Sequence, residues 1–95
     1  MSDVFRAMAD PTRREILRLL RQGPLTSGQI AEHFPTSWPT VSRHLAMLRD
    51  AGLILSRRVG QQVEYELNTT VFEDLIQHLM EWTRSEPNRK EEDKE

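Results

Sequence analysis

The sequence predicts a mainly α-helical domain with one small β-hairpin, on three observations. Apolar residues recur at helical spacing through most of the 95-residue chain. Around residues 62–67 the spacing changes to alternation of apolar and polar residues, which is typical of a half-buried strand. Helix-start signals at Asp10-Pro11, Thr26 and Thr69-Thr70 divide the helical part into short segments. We therefore expect five helices and a two-stranded hairpin.

Length and composition favour a single intracellular domain. We expect residues 1–84 to form it and residues 85–95 to be a disordered charged tail, because no apolar residue follows Ser85. The chain has no cysteine, which excludes disulfides and thiolate metal sites. Neither a signal peptide nor a stretch near the roughly 20 apolar residues of a membrane span is recognisable. The expected location is the cytoplasm.

The first two predicted helices are short. Residues 2–8 carry three apolar residues at the spacing of one helix face: Val4, Phe5 and Met8. Asp10 and Pro11 suit the cap and the first turn of the second helix, which Gly23 ends. Its buried face is predicted to consist of Ile16, Leu17 and Leu20. Its arginines are expected to point outward.

Residues 25–49 are predicted to form two helices joined by a tight turn. Thr26 is the cap of the first, and Gln29 can complete a capping box by accepting the Thr26 N–H. Pro35 limits this helix to about two turns. A sharp turn must follow before the next helix begins.

The second helix of this pair has a distinctive outer face. It covers about residues 39–50, with either Ser37 as its cap or Pro39 as its first helical residue. The inner face is apolar: Val41, Leu45 and Leu48. The outer face has few charges: Pro39, Thr40, Ser42, Arg43, Ala46 and Met47. An ordinary solvated face would favour Lys and Glu, whereas small and hydrogen-bonding groups suit insertion into the major groove of DNA.

A β-hairpin and a longer helix complete the predicted fold. The strands are residues 54–59 and 62–67, and a two-residue loop between them places Arg57 opposite Glu64. The last helix, residues 70–84, has two apolar stripes: Val71, Leu75, Leu79 and Trp82 in one, and Phe72, Ile76 and Met80 in the other. One stripe would satisfy the core of a single chain, so the second predicts a surface for another copy.

Charge is unevenly distributed along the chain. The net charge is −2, yet residues 12–58 hold eight arginines and three acidic residues, while residues 59–81 hold five acidic residues and no basic one. This asymmetry suggests a surface that faces a polyanion, the alternative being ordinary solvated charge. Four residues near the hairpin tip are candidates for phosphate or minor-groove contacts, or else form a charged edge that discourages aggregation: Arg57, Arg58, Gln61 and Gln62.

The predicted order of elements is that of a winged helix-turn-helix, and several motifs resemble the ArsR/SmtB family of bacterial repressors. The motifs are Ala9-Asp10-Pro11-Thr12-Arg13-Arg14, Thr40-Val41-Ser42-Arg43-His44-Leu45, Ala51-Gly52-Leu53-Ile54 and Tyr65-x-Leu67. The resemblance spans about residues 4–79. Within the family, the chain is most similar to the SdpR-like autorepressor branch, through Val4-Phe5, residues 28–34 and residues 67–71.

This resemblance implies a homodimer that occupies operator DNA and blocks transcription, with reading helices in successive major grooves about 34 Å apart. The implied DNA-binding residues are Ser37, Thr40, Ser42, Arg43 and His44 in the fourth helix and Arg57, Arg58, Gln61 and Gln62 in the wing. For His44, which lies beside the buried stripe, packing or a phosphate bond is favoured over a base contact. The dimer interface predicted from the apolar stripes comprises Val4, Phe5, Val71, Phe72, Leu75, Ile76, Leu79, Met80 and Trp82.

Many members of that family sense metals, but this sequence departs from their ligand sets. The third helix, where arsenic and cadmium sensors carry a cysteine pair, reads Gln29-Ile30-Ala31-Glu32-His33. The last helix has His78 and Glu81 at the zinc-sensor spacing, without the aspartate–histidine pair that such sites also need. Two ligands are too few for tight zinc binding. We expect no metal site and no cofactor; a metal-responsive repressor using His78 and Glu81 is one alternative.

The autorepressor resemblance suggests release from DNA by a sequestering protein, which could be membrane-associated. An enzyme is not expected, because His33, His44 and His78 lie on three different helices and neither a cysteine nucleophile nor a glycine-rich phosphate loop is present. No small-molecule substrate is expected either. The other alternative is a winged helix that serves as a protein-interaction module, with its reading helix docked on a partner protein.

Overall fold

The computed structural model describes residues 2–84, which form five α-helices and a three-stranded antiparallel sheet. The helices are α1 (Ser2–Met8), α2 (Pro11–Leu19), α3 (Ser27–Ala31), α4 (Trp38–Asp50) and α5 (Thr69–Thr83). The strands are β1 (Leu25–Thr26), β2 (Ile54–Val59) and β3 (Gln62–Leu67). The predicted winged helix-turn-helix architecture is confirmed. The tail predicted for residues 85–95 lies outside the described residues.

Two of the predicted helix caps, those of α2 and α3, are present as hydrogen bonds. Asp10 Oδ2 accepts the N–H of Arg13 at 3.0 Å and so caps α2. Thr26 Oγ1 accepts the N–H of Gln29 at 3.1 Å, and Gln29 Oε1 accepts the N–H of Thr26 at 2.8 Å. This reciprocal pair is the capping box that fixes where α3 begins.

The Asp10 cap makes the stability of the fold depend on pH. The hydrogen bond from the Arg13 N–H holds the pKa of the Asp10 carboxyl below its ordinary value of 3.8. Because the folded-state pKa is depressed, the stabilisation is complete at neutral pH and is lost as the pH falls through that pKa. Asp10→Ala is expected to lower the free energy of unfolding by about 1 kcal/mol at neutral pH, measured by urea unfolding.

The difference in the free energy of unfolding between wild type and Asp10→Ala should shrink as the pH falls toward the folded-state pKa of the carboxyl. Asp10→Asn is the control because it keeps a side-chain acceptor. We expect Asn to retain most of the stability at neutral pH. A loss that is the same at every pH would contradict the titrating cap.

The core lies between α2, α4 and the base of the sheet. Twelve apolar residues of the described chain are buried: Val4, Ala7, Ile16, Leu17, Leu20, Ile30, Val41, Leu45, Leu48, Leu53, Ile54 and Leu75. They include the inner faces predicted for the second and fourth helices, although Leu20 lies just after α2, in a 3-10 helix that covers Leu20–Gln22. The packing of Val41, Leu45 and Leu48 holds α4 with its other face toward solvent.

Arg13 is buried as well, although the arginines of α2 were expected to point outward. Only 8% of its surface is exposed. Positions 13, 16, 17 and 20 follow the spacing of one helix face, so Arg13 belongs to the buried stripe by geometry. An arginine side chain normally favours solvent. Here its guanidinium donates hydrogen bonds to two backbone carbonyls, which compensate for the cost of burying the charge.

The sheet has one more strand than predicted. β2 and β3 pair with Arg57 opposite Glu64, as the two-residue loop requires, and Gly60 in that loop has a left-handed φ of +64°. β1 was not predicted as a strand. Thr26, the cap residue of α3, has an extended backbone, and Leu25 and Thr26 pair with Tyr65 and Glu64 of β3. The sheet order is therefore β1-β3-β2.

In α5, burial changes along the helix and does not distinguish one apolar stripe from the other. Near its start, Val71 and Phe72 are half-buried and Leu75 is buried in the core. Beyond Leu75, the apolar residues of both stripes are exposed: Ile76, Leu79, Met80 and Trp82. The prediction that one whole stripe serves the core of the chain is wrong, because α5 extends past the core. Within residues 2–84, no helix is both long and apolar enough to cross a membrane.

Candidate nucleic-acid interface

α4 presents a polar surface that begins at its N-terminus. Its first helical residue is Trp38, and the extended residue Ser37 is its cap residue, which decides between the two starts left open by the sequence. The Ser37 hydroxyl lies 3.1 Å from the Thr40 hydroxyl and makes no cap bond to a backbone N–H. Both hydroxyls are therefore at the exposed end of the helix, where one donor remains free for another acceptor.

The predicted α4 residues differ in exposure. Ser37, Ser42 and Arg43 are exposed, whereas Thr40 and His44 are half-buried. Arg43 has no ion-pair partner within residues 2–84, so its guanidinium is available to a ligand. The structure thus places Arg43 where a long cationic side chain can reach an anion or a base edge.

His44 is already engaged within the chain. Its Nδ1 lies 3.3 Å from Nη1 of Arg13, and a guanidinium carries only donors, so Nδ1 must be the acceptor. The contact engages one ring nitrogen within the chain, and the packing or phosphate-bonding role of His44 stays a prediction.

The wing residues fall on two faces of the hairpin. Residues that face each other across β2 and β3 share a face, so Arg57 lies with Gln62, Glu64 and Glu66, and Arg58 lies on the opposite face with Val63. Arg57 Nη2 is 3.4 Å from Glu64 Oε1, which partly neutralises it. All four predicted wing residues are exposed: Arg57, Arg58, Gln61 and Gln62. Arg58 and the two glutamines are the wing groups that no described carboxylate engages.

Two residues that bear on the site were not among those predicted. Trp38, at the first turn of α4, exposes 49% of its surface beside the predicted DNA-binding hydroxyls. Arg13 donates to two side chains of α4: His44, and Met47, which was predicted for the outer face. The helical spacing of Arg13 was the signal that could have found it. For Trp38, the signal was a tryptophan at the start of a helix, at a position that the apolar pattern does not assign to the buried face.

A second exposed surface lies on α1 and α5. It consists of Phe5, Ile76, Leu79, Met80 and Trp82, and we call it the apolar patch. The rings of Phe5 and Trp82 have centroids 6.0 Å apart, which joins α1 to the far half of α5. Four other residues predicted for a dimer interface are wholly or partly used by the core of the chain itself: Val4, Val71, Phe72 and Leu75.

The two candidate metal ligands, His78 and Glu81, lie one turn apart on α5. His78 Nδ1 and Glu81 Oε1 are 4.0 Å apart on α5, and both side chains are largely exposed. Within residues 2–84, no group of three or more His, Cys, Asp or Glu side chains is arranged to hold a metal ion. The arrangement is that of an ordinary helical pair one turn apart.

Comparisons with known proteins give a consistent picture. Residues 10–56 match the family model described as "Bacterial regulatory protein, arsR family". The chain is 47% identical over 88 residues to the transcriptional repressor SdpR of Bacillus subtilis, covering 93% of this chain and 98% of that protein. It is 38% identical over 79 residues to the arsenical resistance operon repressor of Staphylococcus aureus, covering 83% and 76% of the two chains.

Solved structures show the same fold. A crystal structure described as a possible transcriptional regulator for arsenical resistance superposes with a TM-score of 0.77 at 33% identity, covering 96% of this chain and 95% of that one. The structure of HlyU from Vibrio cholerae gives a TM-score of 0.71 at 32% identity, covering 85% and 88%. Helix order and wing are therefore shared along nearly the whole described chain.

Proposed function

Because the chain belongs to the arsR family of bacterial regulatory proteins and is a DNA-binding transcriptional repressor, we propose that it acts as a homodimer whose two α4 helices read operator DNA. The observation that carries this proposal is the exposed, sparsely charged face of α4 with Arg43 at its centre. Ser37, Thr40 and Ser42 supply short hydrogen-bonding groups around that arginine. A face of this kind permits close approach to base edges in the major groove.

The wing is proposed to contact the DNA backbone. Arg58, Gln61 and Gln62 are exposed at the hairpin tip, on a different element from α4. Contacts of this type set the orientation of a protein on the duplex and carry little sequence information. Arg57 contributes less in this proposal, because Glu64 already neutralises part of its charge.

The apolar patch is proposed to be the dimer interface. Ile76 and Trp82 expose 54% and 65% of their surface, which is costly for large apolar side chains in water. A second copy offers the same patch, and a two-fold axis would bring the two α5 helices together. Val4 and Leu75, which are buried within one chain, are proposed to support the patch from beneath.

We also propose that this repressor has no metal-sensing site. The arsenical and mercury resistance repressors among its relatives are named for thiophilic elements. Such elements favour thiolate ligands, and this chain has no cysteine. His78 and Glu81 supply two ligands of the four that a structural or sensory zinc site requires.

Zinc is therefore expected to leave the protein–DNA complex intact. The prediction is checked by titrating zinc chloride into a preformed complex and following fluorescence anisotropy of the labelled duplex. His78→Ala is the matched variant, and its complex should respond in the same way as wild type. Release at micromolar zinc that His78→Ala abolishes would restore the metal-responsive alternative.

The physiological role proposed here is autorepression in the bacterial cytoplasm, where operator DNA is found. It is supported by the similarity to the SdpR repressor along nearly the whole chain. Without a metal sensor, release from DNA requires another route. In keeping with the autorepressor resemblance, we propose sequestration by a second, membrane-associated protein. No enzymatic activity and no small-molecule substrate enter this account.

Selection of bound duplexes from a random pool tests the proposal. We expect enrichment of a two-fold symmetric sequence, and an affinity that falls steeply with salt concentration because arginines displace counterions from phosphates. Enrichment of no sequence, together with an affinity insensitive to salt, would favour the protein-interaction module instead. Binding of the chain to its own promoter, compared with a shuffled promoter, separately tests autorepression.

A further inference from the structure

Arg13 links α1 to the reading helix. Its Nε donates to the Ala7 carbonyl at 2.6 Å and its Nη2 to the Arg6 carbonyl at 3.1 Å, both in the last turn of α1. Its Nη1 reaches His44 Nδ1 and Met47 Sδ, each at 3.3 Å, on α4. One side chain therefore bonds two helices other than its own.

The link is rigid. The guanidinium is a planar fork with donors in fixed directions, so two carbonyls on one side and two acceptors on the other determine its orientation. It is also buried, which strengthens these hydrogen bonds by excluding water. The positive charge is favourable here because it faces carbonyls of the last turn of α1, where the helix dipole concentrates negative partial charge.

The two linked helices belong to different surfaces. α1 carries Phe5, which stacks near Trp82 in the apolar patch, whereas α4 carries the polar face with Arg43. In a dimer formed through the patch, the distance between the two α4 helices depends on how each α4 is oriented relative to its own α1. A two-fold operator presents its half-sites at a fixed helical spacing, so this orientation determines which spacing fits.

We propose that Arg13 is a positioning residue that sets the half-site spacing of the operator, by fixing the reading helix relative to the dimer surface. It does so without touching DNA. This inference rests on the proposed function, since it presupposes a dimer that reads two half-sites.

The test measures spacing selectivity. Each protein is titrated with two duplexes: the one selected by wild type, and the same duplex with one base pair inserted between the half-sites. The spacing ratio is the dissociation constant for the duplex with the insertion divided by that for the selected duplex. Arg13→Lys keeps the charge but loses the fork, so it is expected to lower this ratio by roughly tenfold. A residue with a purely structural role would lower the thermal midpoint and leave the ratio unchanged.

Arg14→Lys is the matched control. Arg14 Nη1 also bonds an α1 carbonyl, that of Met8 at 2.8 Å, but no hydrogen bond connects it to α4 within the described residues. We expect its ratio to equal that of wild type. A fall as large as that of Arg13→Lys would overturn the inference, because tethering α1 alone would then account for it.

His44 provides a second pair of variants in case Arg13→Lys folds poorly. His44→Leu removes the acceptor at the α4 end of the link and should lower the ratio, whereas His44→Asn keeps a side-chain acceptor and should preserve it. If His44 simply touched DNA, both duplexes would lose affinity equally and the ratio would not change.

The outcomes separate the two proposals. A wild type that selects no duplex would overturn the proposed function and this inference with it. A wild type that selects an operator, with folded Arg13→Lys and His44→Leu proteins that both keep its ratio, would overturn this inference alone.

Discussion

Replacing Leu75 with glutamate is expected to destabilise the fold severely. Leu75 is 5% exposed and packs in the core, so the substitution removes an apolar side chain and introduces a carboxylate where water is excluded. The combined loss is roughly 4 kcal/mol or more. Domains of this size have a stability of about 5–15 kcal/mol, so the substitution removes a large part of it and lowers the thermal midpoint strongly. Thermal unfolding followed by far-ultraviolet circular dichroism measures the effect.

The adjacent residue is the matched control. Ile76 is 54% exposed in the apolar patch, so Ile76→Glu should leave the fold of the single chain intact and disrupt the proposed dimer. We expect a native circular dichroism spectrum, the sedimentation coefficient of a monomer, and a thermal midpoint that no longer rises with protein concentration. If Ile76→Glu sedimented as wild type, the apolar patch would not be the interface.

Arg43→Ala is expected to reduce affinity for the selected operator by about 1–3 kcal/mol, the cost of losing one bidentate contact to a base. Arg43 is exposed on α4 and has no ion-pair partner within residues 2–84. The fold should be unaffected because no core contact is lost. Fluorescence anisotropy on the operator and on a random duplex of equal length measures the change.

Arg49→Ala controls for loss of positive charge on the same helix. Arg49 lies in the last turn of α4, with its Nη2 3.6 Å from Asp50 Oδ1, away from the N-terminal hydroxyls. Arg49→Ala should change the affinities for the operator and for the random duplex only slightly, and by the same factor. If Arg43→Ala weakened binding to operator and random duplex by the same factor, Arg43 would be a phosphate contact and would not read sequence.

Local signals predicted most of the helix and strand boundaries. α1 occupies residues 2–8 as expected, the Thr26–Gln29 capping box forms, and Arg57 pairs with Glu64 in the expected register. These features depend on residues that are close in sequence or joined by a two-residue loop. Hydrogen-bonding preferences and periodicity therefore contain most of the information that they require.

Features that depend on distant packing were not predictable in the same way. β1 exists because Leu25 comes to lie beside Tyr65, a contact across forty residues that no local pattern specifies. The exposure of Ile76 follows from where the core ends, and the core is assembled from the whole chain. Periodicity identified both stripes of α5 but could not tell that only its first half has a core to pack against.

For the site itself, the position of Arg13 could not be predicted from the sequence. Residue type and periodicity disagree at this position, and the structure follows periodicity because carbonyls of α1 and acceptors on α4 satisfy the guanidinium. Those partners come from two other helices. The polar outer face of α4, in contrast, follows from the sequence alone, because Val41, Leu45 and Leu48 determine which side of the helix is buried.

The mass of the complex with the selected operator tests the central claim most directly. Sedimentation equilibrium of the protein with a duplex that carries both half-sites should give two chains per duplex, and a duplex cut to one half-site should bind far more weakly. One chain bound with equal affinity to either duplex would contradict the account of a dimer that reads DNA with two α4 helices.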